Sequence, residues 1–308
     1  MKHTGVVVPM VTPVTEKGTL DTEAVGRIVR TFEQAGVSPL LMGTTGEGNS
    51  VSRDDGLLMV QTAVEARGND STMTIYAGLT GNCFAEQLAQ AEAYTKAGAD
   101  VIVATLPTYY ALTPQQMENY YLTLADSIDA PLMLYNILAT THMSIPLDVI
   151  KRLAAHTNIV GLKDSERDLD RMAQCIELSG GRGDFSYFCG WAAQSAHALE
   201  LGADGIVPST GNVVPALFRQ LYDAAVDGDM DTANRLQDET NEIAKVYQKD
   251  RTLGQSLTAL KVMMQTQGLC QPWMLMPLTR LTEDEEQAIA RRTRTLLNTK
   301  KHDQSALD

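Results

Sequence analysis

The stretch Ala97-Gly98-Ala99-Asp100-Val101-Ile102-Val103-Ala104 decides the fold class of this 308-residue chain. Its glycine follows an amphipathic helical pattern, at the point where a left-handed cap would end a helix. A continuous apolar run, Val101–Ala104, begins three residues after it, which is typical of a parallel strand that is covered on both faces. The stretch therefore predicts a helix that leads straight into a buried parallel strand.

The same junction occurs twice more, at Ala35-Gly36-Val37 and at Leu201-Gly202-Ala203-Asp204. Repetition of helix, glycine and strand indicates βα units and a parallel sheet. Eight such units favour a closed (β/α)8 TIM barrel, with a doubly wound open sheet as the alternative. An early Gly-x-Gly-x-x-Gly motif, which a dinucleotide-binding sheet would need, does not follow a strand here. The predicted strands are residues 6–8, 39–42, 72–77, 101–104, 132–135, 159–163, 185–188 and 205–207.

The carboxyl-terminal part of the chain has a different pattern. Strand signals stop after about residue 227, and helical patterns follow near residues 230–247, 253–267 and 283–297. We therefore predict an α/β barrel over residues 1–226, with a C-terminal helical appendage over residues 227–308 that packs on the barrel within the same domain.

Charge and composition limit the possible partners. The formal net charge is −13, and an acidic protein repels phosphate backbones, so we expect no nucleic-acid partner. Apolar runs are too short for a membrane span or a signal peptide. The four cysteines form no Cys-x-x-Cys motif and the five histidines show no ligand spacing, which argues against disulfides and metal sites. These patterns predict a cytoplasmic protein without membrane contact or bound metal.

The end of the sixth predicted strand carries the first candidate catalytic group, in Gly161-Leu162-Lys163-Asp164-Ser165. Active-site residues of barrels sit at the carboxyl ends of strands. Alternation predicts that Ile159, Gly161 and Lys163 face the barrel interior, with Gly161 leaving space below the lysine, while Val160 and Leu162 face the helices. Desolvation there would favour the neutral amine that attacks a carbonyl. An ordinary lysine that reaches solvent is the alternative.

Three other strand ends carry candidate groups. Tyr135 would stand beside Lys163, where a phenol can transfer protons, although a lining aromatic is the alternative. Strand two is followed by Gly43-Thr44-Thr45-Gly46-Glu47-Gly48, whose glycines can bring backbone N–H groups close to a carboxylate, unless it is a plain loop. Tyr109-Tyr110 follows strand four and fits either a further hydroxyl group or a packing surface.

These motifs together resemble those of the dihydrodipicolinate synthase / N-acetylneuraminate lyase family, and the resemblance covers nearly the whole chain. Gly43-Thr44-Thr45-Gly46-Glu47 is similar to the carboxylate-binding motif of that family. Tyr135-Asn136 resembles its catalytic tyrosine motif, and Gly161-Leu162-Lys163-Asp164-Ser165 resembles its Schiff-base lysine motif. Three ordered motifs at matching strand ends make a chance match improbable.

The resemblance implies a reaction and a set of site residues. Lys163 would form a Schiff base with pyruvate or another 2-oxo acid, and Tyr135 would relay protons. Thr44 would link Tyr135 to a tyrosine of a neighbouring subunit, whose position Tyr110 matches, so a homotetramer built from tight dimers is implied. The imine itself is the electron sink, so neither a metal nor an organic cofactor is implied. The substrate-binding positions would be Thr45, Gly46, Gly190, Val207, Ser209 and Thr140.

Two departures from the family leave the second substrate open. Thr140 stands where dihydrodipicolinate synthases have an arginine that positions the second substrate, and threonine lacks the charged fork. Trp191-Ala192 replaces an acidic pair of the sialic-acid lyases. We therefore expect a dihydrodipicolinate synthase-like lyase or aldolase that combines a 2-oxo acid with an aldehyde or sugar-acid co-substrate.

Other readings of the same residues stay open at this point. A 2-keto-3-deoxy sugar-acid or N-acetylneuraminate-type aldolase or dehydratase is the first alternative. A catalytically silent barrel that binds a 2-oxo acid belongs to another class, and the intact Lys163, Tyr135 and Thr44 argue against it. A metal-dependent aldolase would need clustered histidines and carboxylates at strand ends.

Overall fold

The computed structural model describes residues 2–69 and 71–304, with side chains up to residue 298. Eight parallel strands form a closed barrel in sequence order, and the first strand pairs with the eighth. The prediction of a closed (β/α)8 barrel is thus confirmed. The strands are β1 Gly5–Pro9, β2 Ser38–Leu41, β3 Tyr76–Leu79, β4 Val101–Thr105, β5 Leu132–Asn136, β6 Ile159–Asp164, β7 Ser186–Cys189 and β8 Gly205–Ile206.

Helices connect the strands and continue beyond the eighth strand. The helices of the described residues are α1 Thr22–Gln34, α2 Arg53–Arg67, α3 Phe84–Lys96, α4 Pro114–Ser127, α5 Leu138–Thr141, α6 Leu147–Leu153, α7 Leu169–Gly180, α8 Ser195–Glu200, α9 Pro215–Val226, α10 Met230–Gln248, α11 Leu253–Gln265 and α12 Glu283–Gln304. In the parts of the chain that the structure describes, no helix has both the length and the apolar character needed to cross a membrane.

The three glycines of the repeated junction have the predicted left-handed backbone. Their φ angles are 67° at Gly36, 100° at Gly98 and 97° at Gly202. A residue with a side chain is strained in this region, so glycine can end the helix and redirect the chain at once. Each junction thereby delivers its strand to the barrel at the same edge.

The third strand begins four residues later than the pattern predicts. The prediction was 72–77, whereas β3 is Tyr76–Leu79. The N–H of Thr74 donates to the hydroxyl of Ser38, and the N–H of Ile75 donates to the carboxylate of Asp100. Because side chains take these amide groups, the strand ladder starts only at Tyr76.

The sixth strand contains an irregularity that simple alternation missed. The register with β5 shifts between Leu132 and Met133, so that Leu132 pairs with Ile159 and Met133 pairs with Gly161. Ile159 packs in the outer core between strands and helices, and Val160 packs against the inner barrel core. The predicted faces of Ile159 and Val160 are therefore wrong, because an extra residue at this point reverses the alternation. Beyond it, Lys163 faces the interior as predicted.

The appendage consists of α10, α11 and α12, which match the three predicted helical stretches. The side chain of Gln237 in α10 donates to the carbonyl of Ala192 and accepts from the N–H of Ala196. Tyr247 of the same helix is buried against the loop after β8. The division into 1–226 and 227–308 within one domain stays a prediction, and its residues 305–308 lie outside the described residues.

Candidate active site

Lys163 lies near the carboxyl end of β6 and is almost fully buried, with 3% of its surface exposed. The pairing of β5 with β6 sets Tyr135 beside it, and Lys163 Nζ is 3.6 Å from the centroid of the Tyr135 ring. Burial lowers the pKa of the Lys163 ammonium group, because the charged form loses its hydration, and Tyr135 opposes part of this shift. The site therefore favours the neutral amine, which is the nucleophilic form.

Gly161 permits a close approach between β6 and β7. A Cβ atom at this position would lie 2.6 Å from the carbonyl oxygen of Ser186 and 3.3 Å from Cε of Met133. The backbone of β7 thus passes too close for any side chain at this position, and only a glycine permits this approach. Close packing on this side limits the freedom of the strand that carries the lysine.

Tyr135 is the second predicted residue that reaches the site. Its phenol oxygen lies 3.2 Å from the hydroxyl oxygen of Thr44, and either group can donate this hydrogen bond. Tyr135 is 5% exposed, while Thr44 is half-buried. Lys163, Tyr135 and Thr44 therefore form a continuous line of polar groups from the barrel interior to its mouth.

The glycine-rich turn after β2 presents free backbone donors. Inside the turn, the N–H of Glu47 donates to the carbonyl of Thr44, and the N–H of Gly48 donates to the carbonyl of Gly43. Within the described part of the chain, no acceptor is found for the N–H groups of Thr44 and Thr45. The Thr45 side chain is buried beside them. Two adjacent free N–H groups are suited to bind an anion such as a carboxylate.

A small cleft of about 20 Å³ lies beside Tyr135 and includes Thr140, which stands where the family resemblance expects an arginine. Thr140 of α5 lines this cleft together with Thr44 and Tyr135. No lining residue is charged, and six of them are threonines. Its remaining lining residues are Leu40, Met42, Gly43, Asn49, Gly78, Leu79, Thr80, Val103, Thr105, Thr108 and Thr141.

Three further predicted residues lie around the barrel mouth without lining this cleft. Gly190 follows β7, and its N–H donates to the carbonyl of Asp164 at 2.7 Å. Val207 follows β8 and belongs to the inner core that also contains Tyr135. The Ser209 hydroxyl is 2.7 Å from the phenol oxygen of Tyr247, so it holds α10 in the arrangement seen here. Gly46, the other predicted member, accepts a hydrogen bond from the Thr12 hydroxyl through its carbonyl oxygen.

Tyr110 is far more exposed than the other predicted catalytic residues. It is 72% exposed, and its ring packs edge-on against Tyr109 at a centroid distance of 4.9 Å. The side chain of Asn82 accepts hydrogen bonds from the N–H groups of Thr108 and Tyr109, which fixes the loop. The loop therefore holds two aromatic rings out from the surface of the chain.

A buried polar network lies next to Lys163, and no role was predicted for it from the sequence. Asp164 follows Lys163 and points to the opposite face, where it accepts from Asn136 Nδ2 at 2.9 Å and from Arg171 Nε at 2.7 Å. Glu166 accepts from Asn136 and from Ser144 at the same place. Burial raises the pKa of the Asp164 carboxyl group, and Arg171 opposes that shift. A charged residue at an outward position of a buried strand is the signal that could have revealed this network.

The described site residues are not arranged as metal ligands. Among the residues that the structure describes, no group of three or more His, Cys, Asp or Glu side chains is arranged to hold a metal ion. Among the described residues, the polar groups at the mouth include the Lys163 amine, the Tyr135 phenol, threonine hydroxyls, the side-chain amide of Asn49 and backbone N–H groups. This donor set suits carbonyl chemistry better than metal coordination.

Comparison with known proteins places the chain among related enzymes. A sequence model of the dihydrodipicolinate synthetase family matches residues 2–295. An uncharacterized DapA-like lyase of Thermofilum pendens is 28% identical over 296 residues, which cover 95% of this chain and 97% of that protein. The 4-hydroxy-tetrahydrodipicolinate synthase of Natronomonas pharaonis is 33% identical over 241 residues, which cover 78% of this chain and 81% of that protein.

A solved structure also aligns over nearly the full length. YagE, a prophage protein of E. coli K12 that belongs to the dihydrodipicolinic acid synthase family, was crystallised in complex with pyruvate. It aligns with a TM-score of 0.88 and 26% identity, covering 95% of this chain and 98% of that chain.

Proposed function

The chain belongs to the dihydrodipicolinate synthetase family of lyases, and on that premise we propose that Lys163 forms a Schiff base with pyruvate or a related 2-oxo acid. The observation that carries this proposal is the buried lysine beside Tyr135, with its pKa lowered by burial. A lysine that reaches solvent would keep its hydration, whereas Lys163 Nζ lies 3.6 Å from the centroid of the Tyr135 ring inside the barrel. YagE, which was solved with pyruvate, supports the choice of ligand.

The chemistry follows from the groups at the mouth. The Lys163 nitrogen bonds to the carbonyl carbon, and the carbonyl oxygen leaves as water after proton transfers through Tyr135 and Thr44. The N–H groups of Thr44 and Thr45 hold the substrate carboxylate. The protonated imine then accepts electrons from C3, which loses a proton to give an enamine. The enamine carbon attacks the aldehyde carbon, the aldehyde oxygen takes up a proton, and water hydrolyses the imine to release the product and free Lys163. Because the imine is the electron sink, the proposal includes no metal or organic cofactor.

Reductive trapping tests this proposal directly. The protein is incubated with pyruvate and borohydride, and the adduct is located by peptide mass spectrometry. We expect a pyruvate-derived adduct on Lys163 that is absent in Lys163→Ala and unchanged in Lys151→Ala, a variant of an exposed lysine. If pyruvate and a panel of other 2-oxo acids all leave Lys163 unmodified, the Schiff-base function is wrong.

A second candidate function is favoured by the uncharged, threonine-lined cleft. The family's synthases use an arginine to hold a charged second substrate, and Thr140 supplies only a hydroxyl. A hydroxyl-rich wall suits a polyhydroxylated aldehyde, as in a 2-keto-3-deoxy sugar-acid aldolase or dehydratase. We expect carbon–carbon bond formation from pyruvate to be at least tenfold faster with hydroxylated aldehydes than with an amino-acid semialdehyde. The reverse preference would favour the dihydrodipicolinate synthase-like reaction.

The assembly and location belong to the same proposal. A homotetramer made of tight dimers would bring the partner subunit's Tyr110 to Thr44, and the exposed pair of tyrosines fits such an interface. A cytoplasmic location suits the four unpaired cysteines, of which three are buried. Size-exclusion chromatography with light scattering measures the assembly, and a monomer would contradict it.

A further inference from the structure

A buried ion pair joins the helical appendage to the glycine-rich turn of the site. Lys261 of α11 is 1% exposed, and its Nζ lies 2.5 Å from Oε1 of Glu47, whose side chain has no exposed surface. The other carboxylate oxygen of Glu47 accepts the N–H of Leu275 at 2.8 Å. Lys261 Nζ also donates to the carbonyl of Trp273 at 2.7 Å. Glu47 is thus bound by two partners from the appendage, Lys261 and Leu275. Lys261 in turn is bound by Glu47 of the turn and by Trp273 of the appendage.

The ion pair acts on a turn that is already tightly confined. Glu47 has a φ of 54°, a left-handed conformation that residues other than glycine adopt only when their surroundings hold them there. A Cβ atom on the adjacent Gly48 would lie 2.1 Å from the carbonyl oxygen of Met42. The N–H of Glu47 closes the turn on the carbonyl of Thr44. A displacement of Glu47 therefore moves the backbone that carries the free N–H groups of Thr44 and Thr45.

Stability alone does not account for this pair. Lys261 is the one charged side chain in the buried segment Leu257–Met264, in which its direct neighbours Leu260 and Val262 are apolar and buried. Apolar residues of similar volume in place of a buried ion pair are often neutral or stabilising. A charged pair instead specifies one arrangement, because each of its hydrogen bonds has a fixed direction. The appendage thus imposes one geometry on the turn.

We propose that Lys261 is a positioning residue for the substrate carboxylate, and that it acts through Glu47 on the N–H groups of Thr44 and Thr45. This inference rests on the proposed function of the turn as the carboxylate-binding element. It gives the C-terminal helices a part in substrate binding although they contribute no group to the cleft. Lys261 was not among the site residues predicted from the sequence, although a lone lysine within an apolar helical run is a visible signal.

The test measures the binding of two ligands that differ in the carboxylate. The concentration of pyruvate that gives half-maximal borohydride trapping on Lys163 is determined for the full chain, for Lys261→Met and for Glu47→Gln. Hydroxyacetone, a ketone without a carboxylate, is titrated in parallel. We expect both variants to need at least tenfold more pyruvate, with the same maximal labelling and an unchanged half-saturating concentration of hydroxyacetone. A loss of folded protein would lower maximal labelling with both ligands instead.

A matched control lies on the same helix. The buried hydroxyl of Thr258 holds the carbonyl of Thr279 at 2.9 Å and does not touch Glu47, so Thr258→Val should leave pyruvate binding within twofold of the wild type. If both single variants fail to fold, the double variant Glu47→Gln/Lys261→Met, which carries neither charge, is tested instead. We expect it also to need at least tenfold more pyruvate with unchanged hydroxyacetone binding. Pyruvate binding within twofold of the wild type, or an equal loss for hydroxyacetone, would overturn the inference. Absence of trapping in the wild type would instead contradict the proposed function.

Discussion

At the scale of one residue, two features of its surroundings shift the pKa of Lys163 in opposite directions. Burial removes water from the ammonium group and lowers its pKa, and the Tyr135 phenol interacts favourably with the ammonium group and raises it again. The side chain is therefore deprotonated at a lower pH than a lysine in water. In the proposed reaction the same phenol exchanges protons with the substrate, so Tyr135 would affect both the pKa of the nucleophile and the later steps.

Tyr135→Phe separates these two effects. Because the phenol is the group that raises the pKa of Lys163, its loss should lower that pKa further. The rate at which an amine-acylating reagent modifies Lys163 should then rise at a lower pH than in the wild type. The exchange of pyruvate C3 protons with deuterated water should meanwhile slow by about 100-fold or more, since a general acid–base is lost. Peptide mass spectrometry and NMR measure the two rates, and a shift of the acylation profile to higher pH would contradict the electrostatic account.

At the scale of elements, the buried network behind Lys163 ties β5, β6 and α7 together. Asp164 ends β6, Asn136 ends β5, and Arg171 lies in the first turn of α7. The side chain of Arg171 is 10% exposed and its guanidinium is held by Asp164 and Glu166. This arrangement fixes the strand end that carries the lysine, from the side opposite the substrate.

Removing one member of that network should be costly for stability. Asp164→Asn leaves the buried guanidinium of Arg171 without its nearest carboxylate, which we expect to lower the free energy of unfolding by about 3–5 kcal/mol. Urea denaturation followed by circular dichroism measures this loss. The double variant Asp164→Asn/Arg171→Met removes both charges and should recover most of it. If the double variant loses as much free energy of unfolding as Asp164→Asn, or more, the broken ion pair is not the cause of the destabilisation.

Much of the order of strands and helices could be predicted from the sequence, because the signals that determine it are local. The glycine junctions and apolar runs predicted all eight strands and three appendage helices. The extra residue in β6 could not be predicted, because Ile159 and Val160 are both β-branched and apolar and fit either face. The late start of β3 depends on Ser38 and Asp100, which are distant in the sequence. The ion pair of Glu47 and Lys261 joins residues that only the folded chain brings together.

At the scale of the whole molecule, one described chain leaves the proposed relay from Tyr135 through Thr44 open at its outer end. Tyr110, which the family resemblance assigns to that relay, is 72% exposed on a loop of its own chain. In a dimer with twofold symmetry, each partner can place the same loop on the other's site, so that two incomplete sites become complete together. The family resemblance predicts both the tyrosine and its transfer to a neighbouring subunit, and both stay predictions.

Complementation between two inactive variants tests this exchange. Tyr110→Phe should slow the exchange of pyruvate C3 protons, and Lys163→Ala should abolish it. When both chains are co-expressed with different tags and mixed oligomers are purified, a Lys163→Ala chain can supply an intact Tyr110 to the site of a Tyr110→Phe chain. One site of each mixed dimer is then complete, so exchange should return to as much as about half of the wild-type rate. If the mixed oligomers are no faster than Tyr110→Phe alone, Tyr110 does not act across an interface, because only a residue donated to the partner can be restored by an otherwise inactive chain.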